Sequence, residues 1–147
     1  LATDRSRGAL SMARTNALAS LGPTGAIHFL QADLFAGLHP EKARFDLIVS
    51  NPPYIPSGQI NTLPAEVRAY EPRSALDGGT DGMQVLRTLL SDGPRYLARD
   101  GVLVCEIGEG QKEPLLEVAI QSGSFASVEF ENDYAGKPRV LVARVAH

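Results

Sequence analysis

The chain has 147 residues, enough for one domain of ordinary size with a real core. Its composition is average for a globular protein, 44% hydrophobic and 21% charged, and no apolar run approaches the roughly 18 residues of a membrane span, so no membrane role is indicated. A formal charge of −3 and a pI near 5.6, without a basic stripe, argue against a protein that holds nucleic acid by neutralising phosphates.

The chain opens on an apolar stub that ends at Asp4, with no initiator methionine, basic region or signal-like core, and so reads as a fragment cut from inside a domain. From Ser6 to Leu21, the residues Leu10, Ala13, Ala17, Leu18 and Leu21 fall on one helical face, and Gly22-Pro23 supplies the stop. Ile27 to Gln31 reads as a short strand ending at Asp33. Phe45 to Ser50 is a near-continuous apolar strand, of the kind buried on both faces of a parallel sheet.

From Pro52 to Gly82 the sequence is crowded with Pro, Gly, Asn and Ser, which predicts a long loop with one helical turn around Ala65 to Tyr70. Long loops in compact domains are usually functional. Met83 to Ala98 returns to helical spacing, bent or split at Gly93-Pro94, and Val102 to Ile107 is another apolar strand. Inside it sits Cys105, the one cysteine, which reads as a buried inert thiol in a reducing cytoplasm. Gly110 to Gln121 is a helix, and Ser127 to Glu131 and Val140 to Val145 are strands joined by Asp133 to Pro138. This order is α/β and ends in an antiparallel pair.

The residues that speak most directly of chemistry are Asn51-Pro52-Pro53-Tyr54, at the end of the Phe45 to Ser50 strand. Two prolines remove two backbone donors and stop the strand, leaving carbonyls free to face a ligand. Asn51, preceding a proline, is pushed to extended geometry, and Tyr54 adds a flat face. The Asn51 side-chain oxygen and a proline carbonyl are two acceptors, matched to the two hydrogens of a planar NH₂ group. The plainer alternative is a proline-terminated strand with an ordinary turn.

Open α/β sheets bind ligands beyond the carboxyl ends of their strands, where Asp4, Asp33 and Asn51 all lie. Asp4 either accepts from ribose hydroxyls or caps the helix that begins near Ser6. Asp33 either ties the Asp33-Leu34-Phe35 turn or accepts from an adenine amino group. Glu106-Ile107-Gly108-Glu109-Gly110 lacks the third glycine of a phosphate-binding fingerprint, with Glu113 in its place, and reads as a strand-to-helix turn lining the cleft. His28, His39 and His147 show no metal spacing. Glu66, Glu71 and Glu109 read as scattered surface carboxylates.

Together with Ser50 to Ile55, three further stretches resemble a known family: Glu71 to Gly82, Glu106-Ile107-Gly108 with Gln111, and Asp133 to Val140. The resemblance is to the release factor glutamine methyltransferases, which use S-adenosylmethionine to methylate the glutamine of the Gly-Gly-Gln loop in peptide chain release factors. It implies a Rossmann-like class I methyltransferase fold over residues 1–147, with a mostly parallel sheet. By it, Asp4 is the ribose-binding acid, Asp33 and Leu34 make adenine-side contacts, and Asn51 touches both cofactor and substrate. Pro52, Pro53 and Tyr54 complete the glutamine grip, so that Asn51, Pro52 and Tyr54 carry the chemistry. Leu34 stands where some members have an aromatic residue, replacing ring stacking with aliphatic contact.

The resemblance also implies a first strand with a glycine-rich loop, and an amino-terminal helical domain, neither of which is among these residues. Two other readings stay open: an adenine amino-methyltransferase acting on DNA or RNA, disfavoured by the absence of basic, aromatic-bearing insertions, and a noncatalytic remnant of the fold.

Overall fold

A computed structural model describes residues 1–22 and 26–145; Pro23 of the expected helix stop and His147 lie outside the described residues. The chain divides into two compact units, Leu1–His39 and Pro40–His147.

In the first unit, strand β1 (Ala2–Asp4) pairs in parallel with β2 (Phe29–Gln31), in the register Ala2 to Phe29 and Asp4 to Gln31. Helix α1 (Arg7–Leu21) connects them. Ser6 caps it, its hydroxyl accepting from the Ala9 N–H at 3.2 Å, and Gly22 ends it at φ +71°, with its N–H on the Leu18 carbonyl. The expected apolar face is largely uncovered: Leu10 is buried, whereas Leu18 and Leu21 are exposed. Length accounts for this. The 15 residues of α1 run for about 22 Å, while three-residue strands offer about 10 Å of sheet to pack on.

The second unit holds a four-stranded sheet in the order β3-β4-β6-β5. Strand β3 (Phe45–Ser50) runs parallel to β4 (Leu97–Glu106), and β6 (Pro138–Val145) is antiparallel to both β4 and β5 (Phe125–Asn132). The architecture is α/β with mixed pairing, as the order of elements predicts. Helix α4 (Gln84–Asp92) buries Leu86, Leu89 and Leu90, and α5 (Lys112–Ser122) buries Leu115 and Ala119. At Gly93 the chain leaves α4 for a 3₁₀ turn, Gly93–Tyr96, so the expected helix is split where Pro94 forbids its continuation.

The centre of one face of this sheet is covered. Ile48 pairs with Leu103, and Leu103 and Cys105 stand opposite Ala143 and Leu141, all four of the latter buried. Side chains alternate between faces along a strand, so Leu47 and Val49 fall with Val102 and Val104 on the other side. There Leu47 is 56% and Val49 69% exposed. The expectation that β3 is buried on both faces is therefore corrected: among the described residues it is an edge strand with one covered face.

Strand β4 begins earlier than the apolar pattern suggests, because it takes up extra residues between its Phe45–Leu97 and Leu47–Val102 pairings. Asp100 turns there at φ +61°, and Gly101 passes so close that a Cβ would lie 2.8 Å from the Ala98 carbonyl. The stretch after β3 is more ordered than a loop. It contains a 3₁₀ turn at Ser57–Thr62, helix α2 at Ala65–Tyr70, where one turn is predicted, and a single turn α3 at Arg73–Leu76.

Candidate functional site

Strand β3 delivers Asn51 to Tyr54 at its carboxyl end. Asn51 is exposed, Pro52 is buried, and Pro53 and Tyr54 are half-buried. Among the described residues no hydrogen bond engages the Asn51 amide, so its acceptor is free for a ligand. Ser50 pairs with Cys105, which places Glu106 across from the start of the loop. The Tyr54 hydroxyl donates to Glu106 Oε1 at 2.9 Å. Burial, and then the Glu106 carboxylate, raise the Tyr54 phenol above its ordinary value, with Arg139 acting in the opposite direction. Arg139 is itself fixed by donating to the Ile107 carbonyl at 3.1 Å.

The backbone of the loop is held as firmly as its ring. Gln111 is 7% exposed, accepts at Oε1 from the Gly108 N–H at 2.8 Å, and donates from Nε2 to the carbonyls of Tyr54 at 2.9 Å and Gly82 at 3.2 Å. Space for this amide exists because positions 82 and 108 carry no side chain: a Cβ on Gly82 would lie 2.3 Å from the Tyr54 oxygen, and one on Gly108 would lie 3.1 Å from the Gln111 carboxamide. Just beyond, Ile55 is zipped to the Asp77 stretch, its N–H on the Leu76 carbonyl and its own carbonyl on the Gly78 N–H. The Asp77 carboxylate accepts from the Ser57 hydroxyl at 2.5 Å and the Gly79 N–H at 3.1 Å, and these two bonds lower its pKa. Glu106, Gln111 and Gly82 fall in stretches that carry the resemblance, but sequence reasoning gave none of them a contact with Tyr54; the β3–β4 register brings Glu106 to it, and the Gln111 hydrogen bonds bring the other two.

In the first unit, Asp4, Asp33 and Leu34 come together at the carboxyl ends of β1 and β2. The cap reading of Asp4 is corrected, since Ser6 is the cap and Asp4 Oδ1 instead accepts from the Ser6 N–H at 2.6 Å. Asp33 is exposed and lies 3.6 Å from Arg5 Nε, a surface pair of little energetic weight. Leu34 adopts φ +50°, a left-handed conformation that costs an apolar residue about 1 kcal/mol. Arg5, Gln31, Ala32 and Asp33 line an open hollow of about 320 Å³.

Glu66 and Glu71 are exposed, and Glu109 forms a surface ion pair with Lys137 at 2.8 Å, as scattered carboxylates do. Among the described residues no three His, Cys, Asp or Glu side chains gather as a metal site would require, and no helix is long and apolar enough to cross a membrane.

No family profile matches the chain. A release factor glutamine methyltransferase of Geobacter sulfurreducens is 41% identical over 143 residues, which is 97% of this chain and 48% of that protein. A ribosomal protein uL3 glutamine methyltransferase of Bradyrhizobium diazoefficiens is 44% identical over 111 residues, 76% of this chain and 34% of that protein. Among solved structures, a methyltransferase from Pyrococcus furiosus superposes with a TM-score of 0.66 at 16% identity, over 97% of this chain and 60% of that one. A release-factor-specific protein-(glutamine-N5) methyltransferase from Alicyclobacillus acidocaldarius gives 0.52 at 22% identity, over 99% and 78%. These structures share the fold of class I methyltransferases, and this chain has it. In sequence, the chain is homologous to the release factor glutamine methyltransferases and spans about half the length of the relatives it matches.

Proposed function

We propose that this chain is the substrate-gripping part of an enzyme that transfers a methyl group from S-adenosylmethionine to the side-chain amide nitrogen of a protein glutamine, in the Gly-Gly-Gln loop of peptide chain release factors. The observation that carries this reading is the Asn51–Tyr54 loop, whose ring and backbone are tied down while the Asn51 amide stays exposed. Kinship to glutamine methyltransferases supports it.

An amide nitrogen is a poor nucleophile because its lone pair is delocalised into the carbonyl. The Asn51 side-chain oxygen and the Pro52 carbonyl accept its two hydrogens, Tyr54 covers its plane, and so held the nitrogen can pyramidalise with its lone pair aimed away from the grip. This is catalysis by orientation and charge placement. The first unit suits the cofactor: Asp4 keeps a second carboxylate oxygen for ribose hydroxyls, Asp33 offers an acceptor to an adenine amino group, and the left-handed turn presents Leu34 as an apolar contact. When bound, S-adenosylmethionine would supply an electrophilic sulfonium methyl and keep its sulfur as a neutral thioether, and the amide nitrogen, cationic once methylated, would then give up one of its two hydrogens as a proton. Both units belong to one catalytic domain in this reading. Its setting is a reducing cytoplasm, its partners are release factors, and it needs no metal, membrane or nucleic acid.

The test is mass spectrometry of a release-factor domain incubated with S-adenosylmethionine and the natural full-length protein. One methyl on the glutamine amide nitrogen of Gly-Gly-Gln is expected. Transfer to ribosomal protein uL3 alone, transfer to adenine in an oligonucleotide, or no transfer overturns the reading. Asn51→Ala should reduce turnover by about 100-fold or more while leaving cofactor affinity within about threefold.

A further inference from the structure

Gln111 is a buried amide whose hydrogen bonds all go to the backbone of three separate stretches, Tyr54 after β3, Gly82 before α4 and Gly108 after β4. Its orientation is fixed by its partners, because the Nε2 side meets two carbonyls and the Oε1 side meets an N–H. Burying a carboxamide costs free energy unless its polar atoms are matched, and three of its four bonds are made here. Apolar packing at the start of α5 would have been served as well by leucine or methionine. Nor does Gln111, at the N-cap position of α5, cap the helix through its side chain, whose bonds go to Gly108, Tyr54 and Gly82. What the amide does is join the peptide between Tyr54 and Ile55 to the β4–α5 turn. The Tyr54 carbonyl and the Glu106-bound Tyr54 hydroxyl are thus both fixed, at opposite ends of one residue.

We propose that Gln111 is the positioning residue of the amide grip: by holding the Tyr54 carbonyl it anchors the far end of the Asn51–Tyr54 loop, and the two stiff prolines carry that anchor back to the Pro52 carbonyl, one of the acceptors that orient the target nitrogen. The inference rests on the amide-methylating reading above. A Cβ on Gly82 would meet the Tyr54 carbonyl at 2.3 Å and Gln111 Nε2 at 2.9 Å, and one on Gly108 would press on the Gln111 carboxamide at 3.1 Å, so the clasp is closely packed on both sides.

The test compares the natural full-length protein with Gln111→Glu and Gln111→Met, both close in size to the original. A glutamate keeps the acceptor toward Gly108 but sets a carboxylate against the Tyr54 and Gly82 carbonyls. Once protonated, it donates to one of them again. Methionine removes all three bonds at any pH.

With a Gly-Gly-Gln peptide, Gln111→Glu should lose about 100-fold in kcat at pH 8, with KM for S-adenosylmethionine unchanged, and regain about tenfold relative to wild type as pH falls to 5.5. Gln111→Met should lose kcat to a similar degree, without pH-dependent recovery. The wild-type profile over the same range removes the contribution of the neighbouring charged and titratable groups Tyr54, Glu106, Glu109, Lys112, Glu113 and Arg139.

A second readout needs no turnover. The protein is labelled with 3-fluorotyrosine, and the Tyr54 ¹⁹F resonance is assigned with Tyr54→Phe. That resonance should shift in both variants and return toward the wild-type position only in Gln111→Glu at low pH.

Wild-type kcat in either variant overturns the proposal, as does a loss in Gln111→Glu that is independent of pH, or an unmoved Tyr54 resonance. If wild type fails to methylate the peptide, the functional reading falls, and the fluorine spectra alone decide the clasp. If Gln111→Glu does not fold at pH 8, Gln111→Met decides through both readouts.

Discussion

Tyr54, in the loop after β3, meets Glu106 at the carboxyl end of the neighbouring parallel strand β4, the phenol donating to the carboxylate at 2.9 Å. A tyrosine whose folded pKa stands above its unfolded value of about 10 adds stability that is fully present below that pH and is lost as pH rises through the folded pKa. Tyr54→Phe should therefore lose the bond at neutral pH, for about 1 kcal/mol. It should also flatten the alkaline limb of the stability curve. Urea unfolding from pH 7 to 11 checks both, and parallel curves for mutant and wild type would refute the coupling.

Gly82 sits at φ +77° against the Tyr54 carbonyl, so both its conformation and its surroundings exclude a side chain. Gly82→Ala should cost about 1–3 kcal/mol. The same substitution at Gly110, also at positive φ but with open space around it, should cost about 1 kcal/mol, from backbone strain alone. Equal losses at the two positions in denaturant titrations would count against the close approach.

Arg87 faces Asp81, with Nη1 donating to Oδ1 at 3.0 Å, and the guanidinium and the Met83 N–H hold the carboxyl at about 2. A carboxylate with a depressed folded pKa contributes stability that is present above its usual 3.8 and is lost as pH falls through about 2. Asp81→Asn should accordingly destabilise much more at pH 6 than near pH 2, where the native carboxyl is about half protonated. Thermal melts at the two pH values measure this, and equal shifts at both would exclude the ion pair as the cause.

Burial pushes the Cys105 thiol up to about 12. With 1% exposure on the covered face of the sheet, it should react with a disulfide reagent at pH 8 only as fast as the structure opens. Rapid native-state labelling would contradict this placement.

The order of elements was legible because each carries its own local signal. Helix α2 falls on the predicted residues Ala65 to Tyr70, and α4 breaks at Gly93-Pro94. The Asn51–Tyr54 loop was legible for the same reason, since two prolines after an apolar strand restrict the backbone wherever it goes. Burial was harder to read. Leu47, Val49, Leu18 and Leu21 follow apolar patterns, but whether a face is covered depends on neighbours distant in sequence. Glu106 and Gln111 were illegible as partners of Tyr54 for a related reason: the β3–β4 register brings Glu106 to it, and the turn between β4 and α5 brings Gln111, both from more than 50 residues away in sequence. The choice of Ser6 over Asp4 as the cap turns on one residue of local geometry.

Parallel pairing of β3 with β4 carries a kinetic consequence. The pairing closes over the whole segment from Asn51 to Tyr96, whereas β5 and β6 are joined by a tight turn in which Asp133 accepts from the Lys137 N–H. Closing a long loop costs entropy before any contact repays it, so the hairpin should form early and β3 should dock late. The three stretches that Gln111 gathers cannot meet until then. The grip is therefore among the last features to acquire amide protection on refolding, and a chain still on its way to the native state holds its other helices and strands without a usable site.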